Sequence, residues 1–350
     1  CDAPPTTTLC EPLPDQFSIS TCSNILSHDV LRIFVWIIGS LSIVGNIISI
    51  VWHVKSFVKN NMVVQTLLIN LSFADLIMGI YLITIAVTDI YYFGIYAQYL
   101  ETWLHSVICV MASFLVAISS LMSTFILFLI TLDRYLFLVY PFENYRLSYK
   151  LITLVLIVLW TVSATFTALP LVYSYNQPAS YRLYGTNSAC LPGNTDNIYY
   201  LSWLLTYCGT TLLTWIFIAI MYIIILVYLT KSRKQAKREI SKFEKIVRAK
   251  MITIVITDLI CWMPLYVVLI QATIEQELDT HVLPFIAVLS LPLNSCINPI
   301  IYTIYTTTFV NNAMLIITKI RSCCSCCILC SYEANANSDA CSGGKYPQLN

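Results

Sequence analysis

The sequence predicts an all-α membrane protein, a seven-transmembrane helix bundle followed by a short cytoplasmic amphipathic helix. The first observation is composition. Of 350 residues, 58% are hydrophobic and only 11% charged, with a mean hydropathy of +0.76. Soluble domains average roughly 45–50% apolar and about 25% charged, so the bilayer is the natural solvent. The second is a count of seven long apolar runs, at 30–54, 63–88, 106–139, 149–172, 199–230, 246–272 and 281–306. Each exceeds the roughly 20 residues that cross about 30 Å of hydrocarbon as a helix. Without water, such a run must be helical to satisfy its own backbone. The third is the placement of positive charge. Of 19 Lys and Arg, only Arg32 and Arg182 lie on the side of the amino terminus. The positive-inside rule puts that terminus outside and the carboxyl terminus in the cytosol.

Three segments follow. Residues 1–29 form an extracellular, cysteine-containing stretch; 30–320 hold the bundle and its membrane-surface helix; 321–350 are a cysteine-rich tail. The chain opens on Cys1 rather than Met, and no apolar leader precedes Val30. The expectation is a processed terminus or a fragment with an ectodomain upstream. Five cysteines fall outside (Cys1, Cys10, Cys22, Cys109 and Cys190), an odd number, which points the same way. Inside, Cys323, Cys324, Cys326 and Cys327 sit in a reducing compartment, where palmitoylation beside a surface helix at Thr308–Arg321 is a better reading than disulfides. A metal cluster is the rival, weakened by the lack of a neighbouring histidine.

Cys109 and Arg134 stand 25 residues apart in the third run, about 37 Å of helix. One therefore lies at the outer face and the other at the inner face. Cys109 can reach the second outside link, where Cys190 is the lone cysteine. That bridge would close a loop of about 80 residues, worth about 4.5 kcal/mol on the chain-entropy model.

Polar groups within the runs are functional candidates because burying them in lipid is costly. Asp75 falls near mid-membrane and Asp258 a few turns above the cytosolic end, with Asn46, Ser123, Asn294 and Asn298 as further polar sites. An interhelical hydrogen-bond network is the plain alternative for the asparagines. An unpaired carboxylate at Asp75 would have to bind a cation or a proton. At the inner edge stands Asp133-Arg134-Tyr135, with Glu244 opening the sixth helix on the same side; an arginine shared by two carboxylates can latch two helices, and ordinary interfacial snorkelling is the plain alternative. Pro264 and Pro299 remove backbone hydrogen bonds and should bend the sixth and seventh helices.

The order of these features carries a resemblance. Asn46, Leu71-Ser72-Phe73-Ala74-Asp75, Asp133-Arg134-Tyr135, Trp160, Cys261-Trp262-Met263-Pro264 and Asn298-Pro299-Ile300-Ile301-Tyr302 occur in turn. The set resembles rhodopsin-like G-protein-coupled receptors over residues 30–320. A narrower likeness lies in Leu31-Arg32-Ile33-Phe34-Val35-Trp36, Met78-Gly79-Ile80-Tyr81-Leu82, Pro141-Phe142, the Asp258…Cys261-Trp262 pattern and Leu291-Pro292-Leu293-Asn294-Ser295. These look like the relaxin receptors. The glycoprotein-hormone receptors share part of the pattern, including Cys10-Glu11-Pro12, and the fifth run lacks proline as in that group. One departure is the common form of the Asp-Arg-Tyr motif, which relaxin receptors carry as a variant.

The resemblance implies a receptor for a protein or peptide hormone, captured by leucine-rich repeats that these 350 residues do not contain. It implies that the segment around Phe17, Cys22, Asn24, Ile25 and Leu26 is a hinge or tethered agonist, with a plain linker as the alternative. It places an allosteric sodium pocket at Asp75, Ser123, Asn294 and Asn298. It places the activation switch and the coupling to the G protein at Asp133, Arg134, Tyr135, Tyr222, Glu244, Asp258, Trp262, Pro264, Asn298, Pro299 and Tyr302. The implied partners are a heterotrimeric G protein, arrestin, receptor kinases and membrane lipid, at the plasma membrane and without nucleic acid.

Residues 281–306 contain no lysine for a retinal Schiff base, and Val116 stands where amine receptors have an aspartate. A proton- or ion-coupled transporter using Asp75 and Asp258 is the competing class, but no internal repeat divides the seven runs. The four histidines (His28, His53, His105, His281) are scattered, and no HExxH or GxSxG pattern occurs, so no enzyme is predicted and no catalytic residue is assigned.

Overall fold

A computed structural model describes residues 20–21, 23–55, 62–140, 147–175, 177–178, 181–185, 187–194, 197–236, 253, 256–257, 260–264, 266–267 and 286–301. They belong to one unit, Cys1–Ile301; the second, Tyr302–Asn350, lies wholly outside the described residues. So do Phe17, Cys22, Glu244, Asp258, Tyr302, the cysteines at 323, 324, 326 and 327, and the surface helix expected at 308–321.

The elements are α1 (Asp29–Lys55), α2 (Met62–Tyr91), α3 (Tyr96–His105), α4 (Val107–Val139), α5 (Tyr149–Ser174) and α6 (Ile198–Ala236), then a π turn (Ile286–Ser290) leading into α7 (Leu291–Pro299). Five of these helices, α1, α2, α4, α5 and α6, are long and apolar enough to cross a membrane, each within a few residues of a run read from sequence. The stretch Cys261–Pro264 of the sixth run is helical.

Burial decides where each helix sits. In the most apolar window of α4, 78% of residues are buried, against 22% in α5 and α6 and 33% in α1. Helix α4 is therefore the central post, with α1, α5 and α6 outside. The outer faces are frankly apolar, with Leu154 59%, Leu205 62%, Ile223 60% and Val227 61% exposed. Water would not tolerate so continuous an apolar surface, and lipid does.

Close packing relies on small residues, as lipid offers no hydrophobic drive between helices. A Cβ on Gly79 would lie 2.9 Å from Ile43, and one on Gly39 3.0 Å from Ile83, so α1 and α2 meet almost backbone to backbone. Gly45 likewise admits the Pro299 ring, 3.0 Å from where its Cβ would be. The π turn holds to the sixth run where Ser290 Oγ donates to the Cys261 carbonyl at 3.0 Å.

The short helix α3 occupies a stretch that reads in the sequence as a polar link. Ser106 ends it and also caps α4, its Oγ accepting from the Cys109 N–H at 3.1 Å. Residues Tyr96, Trp103 and Leu104 of α3 are buried and join the main apolar core beside Ile25, Leu26, Tyr184 and Cys190. A cap thus closes the end of the bundle that carries Cys109.

Candidate functional site

Two polar clusters are built on α2, at its middle and at its cap end. The middle one centres on Asp75, which is 0% exposed. Ser123 Oγ of α4 donates to Asp75 Oδ1 at 3.1 Å, and Asn298 Nδ2 of α7 donates to Oδ2 at 2.8 Å. Ser42 Oγ of α1 donates to the Asp75 carbonyl at 2.8 Å, and Ser119 Oγ to the neighbouring Ala74 carbonyl at 2.8 Å. Asn46 Nδ2 joins α1 to α7 through the Ser295 carbonyl at 2.9 Å and also reaches the Ser42 carbonyl at 2.8 Å. Three helices therefore meet at one carboxylate, with α1 joined through the backbone carbonyl of the same residue, and among the described residues no cation pairs with it.

Asn294 is buried one turn before Asn298, and its Oδ1 has no partner among the described residues. The Asn294 amide oxygen, the Asp75 carboxylate and the Ser123 hydroxyl are all oxygen donors, the kind that hard cations take. The residues present fit a small monovalent cation. Asp75, Ser123 and Asn294 would hold it, and its charge would offset that of the carboxylate.

Several of the predicted switch residues are among those described. Trp262 and Tyr222 are buried. Trp262 stacks on Tyr266 with centroids 6.1 Å apart, and Tyr266 Oη lies 3.0 Å from Thr211 Oγ1 on α6. Phe166, Trp203 and Tyr207 stack in series at 5.4 Å spacings, and Tyr207 donates to the Ala117 carbonyl at 3.2 Å. Aromatic rings thus stack from α5 onto α6, and the Thr211 hydroxyl joins α6 to the ring pair of the sixth run. Val116 is buried beside them, so no carboxylate is offered to an amine at that position. At the far end of α4, Asp133, Arg134 and Tyr135 are half-buried, and Tyr135 meets Tyr140 edge-on at 5.9 Å. Pro264 is half-buried and Pro299 is buried. On the second helix, Asn70 accepts from Trp160 Nε1 at 3.1 Å.

The cap cluster is less legible in the sequence. Cys109 and Cys190 are disulfide-bonded, with Cα atoms 5.5 Å apart, in the pairing expected from sequence. Cys190 adopts φ +56°, at the end of a tight turn in which its N–H donates to the Asn187 carbonyl at 2.9 Å. The carbonyls of that turn receive Trp103 Nε1 (on Ser188, 2.7 Å) and Tyr81 Oη (on Ala189, 3.0 Å). Arg182, 3% exposed, donates to the carbonyls of Leu104, Tyr175 and Gln177, to Tyr184 Oη and to His105 Nδ1, all within 3.1 Å. These five acceptors replace the water that a buried guanidinium loses. Burial pushes the Tyr184 phenol above its ordinary value, and the Arg182 hydrogen bond opposes that.

The segment before α1 is part of this cap. Ile25 and Leu26 are 0% exposed. The Leu26 N–H donates to Asp89 Oδ1 at 2.9 Å, Arg32 Nε donates to Asp89 Oδ2 at 2.7 Å, and Arg32 Nη2 reaches the Leu26 carbonyl at 3.3 Å. Ser188 Oγ donates to the Ile25 carbonyl at 3.1 Å. Asn24 is half-buried, its N–H on Thr21 Oγ1 at 3.1 Å. The turn after α2 admits the segment through Gly94, whose φ of +78° suits glycine and whose N–H donates to the Ser23 carbonyl at 2.8 Å. Sequence reasoning singles out Asn24, Ile25 and Leu26 but misses Asp89, Ser188, Trp103 and the buried role of Arg182. The available signal is that Arg32 and Arg182 are the two positive residues on their side, each in need of partners.

A bundle of apolar helices around a buried carboxylate, closed by a disulfide-tied cap, defines a multi-pass membrane receptor. The profile of the 7 transmembrane receptor (rhodopsin family) matches residues 45–302, and the chain belongs to that family, which is one of receptors rather than enzymes. It is 33% identical over 316 residues to the G-protein coupled receptor GRL101 of Lymnaea stagnalis, covering 89% of this chain and 28% of that protein. It is 32% identical over 316 residues to human relaxin receptor 2, covering 88% of this chain and 41% of the relative. It is 29% identical over 318 residues to the follicle-stimulating hormone receptor of Cairina moschata, covering 90% and 44%. The chain thus spans less than half the length of these relatives.

Proposed function

We propose that this chain is the signalling portion of a receptor for a protein or peptide hormone, relaxin-like or glycoprotein-hormone-like, that activates a heterotrimeric G protein and raises cyclic AMP. It sits in the plasma membrane with its amino terminus outside. One observation carries the reading: Ser123 and Asn298, from widely separated motifs, converge on Asp75, in a family of receptors. The names of the relatives supply the hormone class.

On this reading a hormone held by an ectodomain acts through residues 17–26, and the burial of Ile25 and Leu26 in the cap favours a tethered agonist over a plain linker. A ligand shifts such an equilibrium only by its different affinity for the two shapes. Sodium at Asp75, Ser123, Asn294 and Asn298 would favour the resting shape. Arg134, Glu244, Tyr222, Trp262 and Tyr302 would carry the change to the cytosolic face, where the basic stretch Lys231–Lys250 meets the G protein. Arrestin and receptor kinases would follow, and palmitoylation at Cys323, Cys324, Cys326 and Cys327 would anchor the tail.

The test is cyclic-AMP accumulation in cells that express the chain at matched surface levels. Arg134→Ala and, separately, a deletion of residues 17–26 should each lower it at least threefold. A signal that persists through both changes refutes the latch and the tethered agonist together.

A further inference from the structure

A single peptide group holds three parts of the cap together. The carbonyl of Ile25 accepts from Ser188 Oγ of the disulfide loop at 3.1 Å. The N–H of that same Ile25–Leu26 peptide donates to Asp89 Oδ1, at the end of α2, at 2.9 Å. Both flanking side chains are 0% exposed, as are Ser188 and Asp89. Asp89 keeps its second oxygen for Arg32 of α1, and Ser188 keeps its carbonyl for Trp103 of α3.

We propose that the Ile25–Leu26 peptide group is a clasp between α2 and the disulfide loop, with Asp89 and Ser188 as its positioning residues. A peptide group is planar and rigid, so its two hydrogen bonds cannot relax independently. Displacing the segment by an ångström or two strains or breaks both. The movement then reaches α2 through Asp89 and α4 through Ser188, Cys190 and Cys109. The inference deepens the hormone-receptor reading and rests on it for the direction in which force enters. It needs no ligand contact with the bundle itself, only a pull or push on residue 25. One bypass exists, because Tyr81 of α2 also touches the loop at the Ala189 carbonyl. It joins α2 eight residues deeper than Asp89, about 12 Å along the helix.

Hydrogen exchange on the full chain in lipid nanodiscs, followed by mass spectrometry, tests this without any ligand. Ser188→Ala should speed exchange tenfold or more in residues 20–28 and also in 86–91, the last turns of α2. Asp89→Asn should do the same in 20–28 and in 187–190, across the clasp. Ser188→Thr, which keeps the hydroxyl, should restore protection. Tyr81→Phe, which removes the bypass, should leave 20–28 as slow as in the parent. Loosening by Ser188→Ala confined to 187–190 overturns the proposal, and so does a Tyr81→Phe pattern identical to that of Ser188→Ala. If Asp89→Asn does not reach the membrane, Ser188→Ala and Ser188→Thr decide alone. Exchange is blind to the G protein. The clasp can therefore fail while the deletion of 17–26 still abolishes signalling, and the hormone-receptor reading can fail while the clasp holds.

Discussion

Asp75 and Asp89 lie on the same helix, fourteen residues apart, and neither exposes any surface. Their surroundings differ in one respect. Asp89 has a guanidinium, with Arg32 Nε at 2.7 Å. Asp75 has two neutral donors, Ser123 and Asn298. A buried carboxylate with a fixed counter-charge is an anchor, because losing the partner strands it. A buried carboxylate served by neutral dipoles has an unsettled charge, and a mobile cation or proton can settle it. The cap end of α2 carries a counter-charge of its own, and its middle, among the described residues, does not.

The largest test of the anchored end is the disulfide. Cys190→Ser opens a link between residues 81 apart, and the chain-entropy account gives a loss of about 4.5 kcal/mol. Thermal unfolding of the purified receptor should show a larger fall in Tm than loss of the Arg32–Asp89 pair or of the Trp103 hydrogen bond. A Tm within about 2 °C of the parent would mean that hydrogen bonds, not the disulfide, hold the cap.

Next comes the ion pair, where the two single removals should differ. Arg32→Met leaves a carboxylate of 0% exposure without its cation, at a cost of about 3 kcal/mol, the low end for a broken buried pair because the Leu26 N–H still donates to it. Asp89→Asn leaves a guanidinium that is 20% exposed, still near Asp29, and able to reach water. Its loss should be nearer to about 1–2 kcal/mol. Equal losses in denaturation of the two variants would erase the distinction between anchor and partner.

The same contrast explains what can be read from the chain. The spans are legible because each satisfies its own backbone and shows lipid an unbroken apolar face; α1 is expected at 30–54 and runs Asp29–Lys55. Asp75, Ser123 and Asn298 are legible because a polar group in such a run stands out. Asp89 is not, although it lies on the same helix, because near an end it passes for an interfacial residue. Its partners are 57 and 63 positions away, and Ser188 lies 163 residues from Ile25, so no local spacing points to either. Helix α3 escapes because its ten residues mix Gln98, Glu101 and His105 with buried Tyr96, Trp103 and Leu104. An amphipathic helix shorter than a span reads as a polar link, although Ser106 is a visible cap.

A smaller effect sharpens the contrast within the cap. Trp103→Phe keeps an aromatic ring but deletes the 2.7 Å bond to the Ser188 carbonyl, leaving that buried acceptor short of a donor. The expected loss is about 1–2 kcal/mol. If it is nil, the disulfide, Tyr81 and the Ser188–Ile25 hydrogen bond hold the turn at 187–190 without help from Trp103.

The smallest stability change, and the sharpest functional one, belongs to Asp75→Asn. The amide oxygen can still accept from Ser123 or Asn298, and no cation is stranded because none is paired there among the described residues. The change should shift stability in sodium-free buffer by less than about 1 kcal/mol, with the sign toward stabilisation, since an uncompensated buried charge is removed. Sodium should then separate the two proteins. An ion that binds the resting shape at about ten times its dissociation constant adds about 1.4 kcal/mol by mass action. The parent should gain Tm when choline chloride is exchanged for sodium chloride at constant ionic strength, and Asp75→Asn should not. Arg32→Met disturbs only the Asp89 end of α2, so it should keep the full sodium response even though it is far less stable. A sodium response lost in Arg32→Met, or kept in Asp75→Asn, would place the cation at the cap, with Asp89 as the adaptable carboxylate and Asp75 as a fixed strut.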